Sequence, residues 1–125
     1  METSFRMEGA VNAQPMKVER PRAARYHFIV AITLTDLESG EQTQGTTWNV
    51  SLFGCQVMAA DFMRVGARVR VQIIHSREAF EAHGRVANLR PLMGAGIVFT
   101  NVEEPHLSIL DKWVSALRDR NSEMQ

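Results

Sequence analysis

Apolar and polar residues alternate along several short stretches of this chain, which is the pattern of half-buried β-strands. The clearest stretch runs from residue 26 to residue 34, where the apolar face carries Tyr26, Phe28, Val30, Ile32 and Leu34. The same pattern predicts strands over residues 46–51, 55–59, 69–73 and 80–89, and a short apolar strand over residues 97–99. Turn-like segments separate these stretches. Six short strands predict a mainly β fold, a small antiparallel barrel.

The pattern changes from strand to helix near the C-terminus. Helical spacing relates the apolar residues Leu107, Leu110, Trp113, Val114 and Leu117. Pro105 suits a first helical position, and Glu103 and Glu104 suit the positive end of the helix dipole. The sequence therefore predicts one amphipathic α-helix that packs its apolar stripe on the barrel.

Composition fits one soluble domain. The chain has 125 residues, of which 45% are hydrophobic and 22% charged, and its formal net charge is zero. These values are ordinary for a folded protein, and a neutral chain has no overall field that attracts a nucleic-acid polymer. We expect a loose arm over residues 1–17, a barrel domain over residues 18–120 and a tail over residues 121–125.

Several kinds of chemistry lack support in the sequence. Cys55 is the only cysteine, which excludes an intramolecular disulfide and a multi-thiolate metal site, and we expect it to pack as a small hydrophobe. The four histidines are dispersed, and the chain has no nucleophile elbow, P-loop or dinucleotide fingerprint. We therefore expect no enzyme activity, no metal and no cofactor. No apolar run reaches transmembrane length, so we expect a cytoplasmic protein without membrane insertion.

Arginine clusters just before the first strand. All basic residues except Lys17 and Lys112 are arginine, and Arg20, Arg22 and Arg25 fall within six residues. Pro21 favours extended backbone there, which predicts a loop. Such a cluster either stays solvated or meets an anion, and the sequence leaves both interpretations open.

A polar turn follows the second predicted strand. Trp48 and Val50 alternate with Asn49 and Ser51, which places Asn49 and Ser51 on one face, and Gly54 follows. Asn and Ser offer hydrogen-bonding groups, and glycine lets a backbone or a ligand approach closely. These residue types are also those that ordinary turns prefer, so a turn and a binding corner both remain open.

The order of these motifs resembles that of the PilZ family, bacterial receptor domains for cyclic di-GMP. The arginine cluster, a strand and the Asn49-x-Ser51-x-x-Gly54 motif carry the resemblance, which covers roughly residues 18–117. Gly84-Arg85-Val86 and Gly96-Ile97-Val98-Phe99 resemble the closing strands of the family. The resemblance implies a six-stranded antiparallel PilZ-type barrel with a C-terminal α-helix, in agreement with the fold predicted from periodicity.

The resemblance also implies a ligand site. In such domains an arginine loop of the form RxxxR wraps the nucleotide, and a [DN]xSxxG turn contacts it from the barrel. The expected ligand-binding residues are Arg20, Arg22, Arg25, Asn49, Ser51 and Gly54. One position departs from the motif, because Pro21 stands where the first arginine of RxxxR is expected. We hypothesise that Arg22 substitutes for it from the neighbouring position.

Three functions remain open at this point. The first is a stand-alone cyclic di-GMP receptor whose ordered arginine loop engages a downstream partner protein, as a monomer or weak homodimer. The second, motivated by Pro21, is a degenerate PilZ domain that binds no nucleotide and acts as a protein adaptor. The third is a single-stranded nucleic-acid binder, against which zero net charge and the lack of an aromatic row on a basic face argue.

Overall fold

A computed structural model describes residues 24–59 and 64–123 of the chain. Most of these residues are in β-strands, and one helix follows them. The strands are β1 (Tyr26–His27), β2 (Ala31–Asp36), β3 (Gln42–Val50), β4 (Gly54–Ala59), β5 (Arg68–His75), β6 (Glu78–Arg90) and β7 (Gly94–Asn101), and the helix is α1 (His106–Glu123).

Six of the strands close into an antiparallel barrel. They are hydrogen-bonded in the order β3, β2, β5, β6, β7 and β4, and β4 pairs with β3 to complete the circle. The two-residue strand β1 pairs with the end of β3. Inward-facing aliphatic and aromatic side chains from all six strands fill the interior. The predicted six-stranded antiparallel barrel with a C-terminal helix is confirmed.

The strand predicted over residues 26–34 is interrupted. Its apolar face points inward as expected, and Phe28, Ile32 and Leu34 are buried. Between β1 and β2, however, the buried hydroxyl of Thr47 takes the place of a ladder partner. It accepts a hydrogen bond from the Val30 N–H at 3.0 Å and donates to the Phe28 carbonyl. This side chain therefore satisfies backbone groups that the break would otherwise leave buried and unpaired.

A β-bulge follows directly on Thr47. Thr47 pairs with Val57 and Asn49 with Gln56, so Trp48 is an extra residue in β3. Trp48 is 39% exposed, whereas Thr47 and Val50 are buried. The predicted strict alternation of Trp48 and Val50 is therefore wrong, because the bulge turns Trp48 outward beside Asn49.

The helix packs against β6 and β1. It begins at His106, one residue after the predicted start at Pro105, and Glu104 Oε1 accepts hydrogen bonds from the N–H and the hydroxyl of Ser108. Leu110, Trp113 and Val114 are buried as the helical spacing predicts. Leu107 is 44% exposed, so its assignment to the buried stripe is wrong. Ile109, which is half-buried, packs against the core in place of Leu107.

Candidate functional site

The last arginine of the cluster and the first residue of the polar turn meet at one corner of the barrel. Arg25 lies just before β1, and β1 pairs with the end of β3 so that His27 is opposite Asn49. This pairing brings the Arg25 guanidinium to the Asn49 side chain, and Arg25 Nη1 donates a hydrogen bond to Asn49 Oδ1 at 3.2 Å. The contact is exposed to solvent. A cation and an amide thus lie together on the outer surface of the barrel.

Ser51 holds the turn between β3 and β4. Its side chain is buried, and its Oγ accepts a hydrogen bond from the Phe53 N–H at 3.0 Å. Its own N–H donates to the Gly54 carbonyl at 2.8 Å. Ser51 therefore fixes the backbone that follows Asn49, and its hydroxyl does not face open solvent.

Gly54 makes room for another strand. It pairs with Val98 of β7, and a Cβ at Gly54 would overlap the carbonyl oxygen of Ile97. The sequence predicted that a backbone or a ligand approaches Gly54 closely, and in the structure the backbone of β7 does so. Ser51 and Gly54 consequently support the corner, and Asn49 is the motif residue whose amide is on the outer surface.

The remaining predicted site residues precede the described part of the chain. Arg20 and Arg22 lie outside the described residues, as does Pro21. Their positions relative to Asn49 stay predictions, including the substitution of Arg22 for the missing arginine. Arg25 is the arginine of the cluster whose contact with the corner is described.

Cys55 lies next to the corner but takes no part in its surface chemistry. Its side chain is 1% exposed within the core, as predicted for a small hydrophobe. Burial raises the pKa of the Cys55 thiol to about 12, and the positive charge of Arg25 opposes this shift only weakly. The thiol is therefore protonated at neutral pH and is a poor nucleophile.

The structure adds two residues to the corner that the motif does not include. Trp48 is turned outward by the bulge beside Asn49, and Gln56 pairs with Asn49 across the ladder. Gln56 Nε2 also reaches the Met93 carbonyl at 3.5 Å. A bulge depends on how two strands pair, so the sequence of β3 alone has no signal for Trp48. Gln56 is visible in the sequence as a polar residue within an apolar strand.

Residues 24–59 and 64–123 contain neither a metal-binding cluster nor a membrane-spanning helix. No group of three or more His, Cys, Asp or Glu side chains in these residues is arranged to hold a metal ion. The helix that they contain lacks the apolar character needed to span a membrane.

Comparisons with known proteins agree on one family. The family model described as PilZ domain matches residues 19–116. No curated protein sequence matches the chain closely enough to count as a relative.

Solved structures with similar folds include several PilZ domains. The PilZ domain of CeSA from a cellulose-synthesising bacterium has 12% identity and a TM-score of 0.63, with 77% of this chain and 99% of that chain covered. The PilZ domain of YcgR from Escherichia coli, solved with c-di-GMP, has 13% identity and a TM-score of 0.65, with 85% and 97% covered. The Bacillus subtilis inhibitor of motility, MotI/DgrA, has 16% identity and a TM-score of 0.64, with 86% and 57% covered.

Proposed function

The chain belongs to the PilZ domain family, and from that premise we propose that it is a receptor for cyclic di-GMP. In this proposal the nucleotide orders the arginine loop against the barrel, and the ordered loop forms a surface that engages a partner protein. The PilZ domain of YcgR, which shares this fold, was solved with c-di-GMP. The proposal rests on one observation above all, the contact between Arg25 and Asn49.

The chemistry of the corner suits the nucleotide. Cyclic di-GMP carries two phosphates and two guanines. A guanidinium group forms paired hydrogen bonds with phosphate and stacks on aromatic planes, and an amide offers both a donor and an acceptor to a base edge. Arg25 and Asn49 supply these two groups within 3.2 Å of each other.

Arg25 and Asn49 can also exchange their mutual hydrogen bond for contacts with a ligand at little cost. A hydrogen bond at an exposed site contributes little to stability, because water competes for both partners. A phosphate that approaches Arg25 therefore replaces a weak contact by a charge-assisted one. Asn49 is released to contact a guanine edge, while Ser51 and Gly54 keep its backbone in place.

Arg20 and Arg22 complete the proposed site. We propose that Arg22 supplies the contact that Pro21 removes from the RxxxR motif, since a long side chain in an extended loop can span a shift of one residue. A single charged hydrogen bond contributes about 1.5 to 3 kcal/mol, so loss of this contact would weaken binding roughly ten- to a hundredfold.

Calorimetric titration with cyclic di-GMP tests the proposal. We expect saturable heat for the wild type, and we expect Arg25→Ala to weaken binding at least about tenfold through loss of a charged contact. Arg22→Ala weakens binding similarly if Arg22 substitutes for the arginine missing at Pro21. Arg118→Ala is the matched control, because it removes an exposed arginine on α1 whose partners are Ser115 and Asp119. No heat and no thermal shift at high micromolar nucleotide would refute the proposal.

Pro21 favours a second candidate, a PilZ domain that has lost nucleotide binding and acts as a protein adaptor. In that case partner proteins bind equally with and without cyclic di-GMP, and Arg25→Ala leaves their binding unchanged. A partner interaction that requires the nucleotide and fails in Arg25→Ala excludes this candidate.

The family match supports a binding role for this domain. PilZ domains bind ligands and partners, and the match indicates no catalytic family. We propose a cytoplasmic protein that works as a monomer or weak homodimer, without membrane insertion, cofactor or metal.

A further inference from the structure

A cavity lies between the helix and the turn that joins β5 to β6. Its volume is about 510 Å³, within the range of 300 to 1,000 Å³ common for small-molecule sites. Residues from three parts of the chain line it, including Phe28, His75, Arg77, Lys112, Trp113 and Arg120. The Arg25 and Asn49 corner contributes no residue to this lining.

Aromatic rings form the floor of this cavity. His75 packs edge-on against both Phe28 and Trp113, with ring centroids 4.9 and 5.3 Å apart. Phe28 and Trp113 are themselves 5.7 Å apart. Phe28 and Trp113 are only 6% and 5% exposed, so the half-buried His75 ring supplies most of the aromatic surface that this floor offers to an apolar group.

Positive charge surrounds the floor and is only partly neutralised. Glu78 is the one acidic residue of the lining, and it is already engaged by Lys112 Nζ at 2.6 Å. This hydrogen bond is the main cause that lowers the pKa of the Glu78 carboxyl. Among the described residues, neither Arg77 nor Arg120 has a carboxylate within ion-pair distance. Two guanidinium groups therefore remain available for an anion.

The indole N–H of Trp113 lies beside the carboxylate of Glu78. Its Nε1 is buried and has no hydrogen bond of standard geometry, yet its interaction with Glu78 contributes to lowering the pKa of that carboxyl. Lys112 and Trp113 therefore both engage Glu78, which leaves Arg77 and Arg120 for the acidic group of a ligand.

The turn beside the cavity is strained. Ser76 and Arg77 both have positive φ, 51° and 65°, in the two-residue turn between β5 and β6. A turn of this geometry favours Asn-Gly, and other residues adopt it at a cost. The turn places Arg77 in the lining of the cavity, and strained backbone of this kind clusters at functional sites.

We propose that this cavity is a second ligand site, which binds a small organic anion with a planar or branched apolar body. The apolar body lies on Phe28, His75 and Trp113. The acidic group takes charge-assisted hydrogen bonds from Arg77 and Arg120 at the rim. This site is distinct from the nucleotide corner and does not depend on nucleotide binding.

Fluorescence titration with anilinonaphthalene sulfonate, an aromatic sulfonate, tests the site on the whole chain. We expect one saturable site with blue-shifted emission, and we expect saturating cyclic di-GMP not to displace the probe. Arg120→Ala and Arg77→Gly should each weaken binding at least about tenfold, since each removes a charged contact. Ala116→Leu, which adds volume at a residue of the lining, should abolish binding.

Two controls make the result decisive. Arg118→Ala removes the same charge from the same helix at a residue outside the lining, and it should bind the probe like the wild type. Arg77→Gly relieves a positive φ, so its melting temperature should equal or exceed that of the wild type, and its loss of binding cannot reflect unfolding. The proposal is overturned if the wild type shows no saturable site, or if Arg77→Gly and Ala116→Leu bind as the wild type does.

Discussion

At the scale of single residues, Asn49 and Ser51 belong to one motif but differ in what their side chains do. Asn49 contacts Arg25 on the surface, whereas Ser51 is buried and accepts the Phe53 N–H. Loss of a buried hydrogen-bond acceptor costs more than loss of an exposed contact, because water replaces only the exposed one. The two residues therefore contribute to different measurable quantities.

Substitution of each residue by alanine separates these contributions. Ser51→Ala should lower the free energy of unfolding by about 1 to 3 kcal/mol, and Asn49→Ala should change it by less than about 0.5 kcal/mol. Urea denaturation of both variants measures the difference. Equal losses of stability would contradict the structural role assigned to the Ser51 hydroxyl.

Substitutions in the strained turn at Ser76 and Arg77 should raise the free energy of unfolding, whereas Ser51→Ala should lower it. Asn-Gly is the preferred pair for a two-residue hairpin turn with positive φ at both positions. The double substitution Ser76→Asn with Arg77→Gly should therefore raise the free energy of unfolding by about 1 kcal/mol. Left-handed backbone costs about 1 to 2 kcal/mol per ordinary residue, and the larger conformational entropy of glycine in the unfolded chain offsets part of the gain. A lower urea midpoint than that of the wild type would contradict the positive φ values.

The buried thiol of Cys55 should make the stability of the fold depend on pH. Its pKa is raised from an ordinary value of 9.0 to about 12 because burial disfavours the thiolate. A group whose pKa is raised on folding stabilises the folded chain below its unfolded pKa and loses that contribution as pH rises. The free energy of unfolding should therefore fall between pH 9 and pH 12, and less so in Cys55→Ala. Identical alkaline profiles for the two proteins would show that the thiol is not buried.

At the scale of elements, the junction of β1, β2 and β3 depends on one side chain. Thr47 satisfies the Val30 N–H and the Phe28 carbonyl where the strand ladder is interrupted. Thr47→Val keeps the shape and removes both hydrogen bonds. We expect a loss of about 2 to 4 kcal/mol, because one buried and one partly buried backbone group lose their partner. Thr46→Val, on an exposed neighbour in the same strand, is the control, and a similar loss in both variants would contradict this assignment.

The same junction shows how far the sequence alone leads. Alternation over residues 26–34 predicts the inward face correctly, because burial of that face is a local property of the pattern. The break in this strand is not predicted, since it depends on a hydroxyl 17 to 19 residues away in the chain. Trp48 is misassigned for a related reason, because the bulge that turns it outward is defined by the pairing of β3 with β4.

The candidate site was predictable to a similar extent. Its residue types and their order are visible in the sequence, and Arg25 does meet Asn49. The sequence does not show which motif residues lie on the surface and which support the backbone, because that depends on which strand packs against Gly54. That strand is β7, whose Ile97 carbonyl lies where a Cβ would be. The cavity beside α1 brings together residues from distant parts of the chain, which no local pattern relates.

At the scale of the whole molecule, a chain of zero net charge that forms a closed barrel has local concentrations of positive charge. One is the arginine cluster of the sequence that ends at Arg25, and another is the rim formed by Arg77 and Arg120. The short strand β1 lies between them, since it follows Arg25, packs against α1 and precedes Phe28 in the cavity floor. A ligand at either place would therefore contact this segment or its immediate neighbours.

In the proposed function, cyclic di-GMP binds where Arg25 meets Asn49. Nitrogen-proton correlation spectra recorded during a nucleotide titration test it most directly, because each backbone amide reports separately. We predict saturable shifts at Arg25, His27 and Asn49 and in the turn at residues 51–54, with the amides of Arg77 and Arg120 unchanged. Spectra that do not change at saturating nucleotide, or whose changes spare this corner, would contradict the claim.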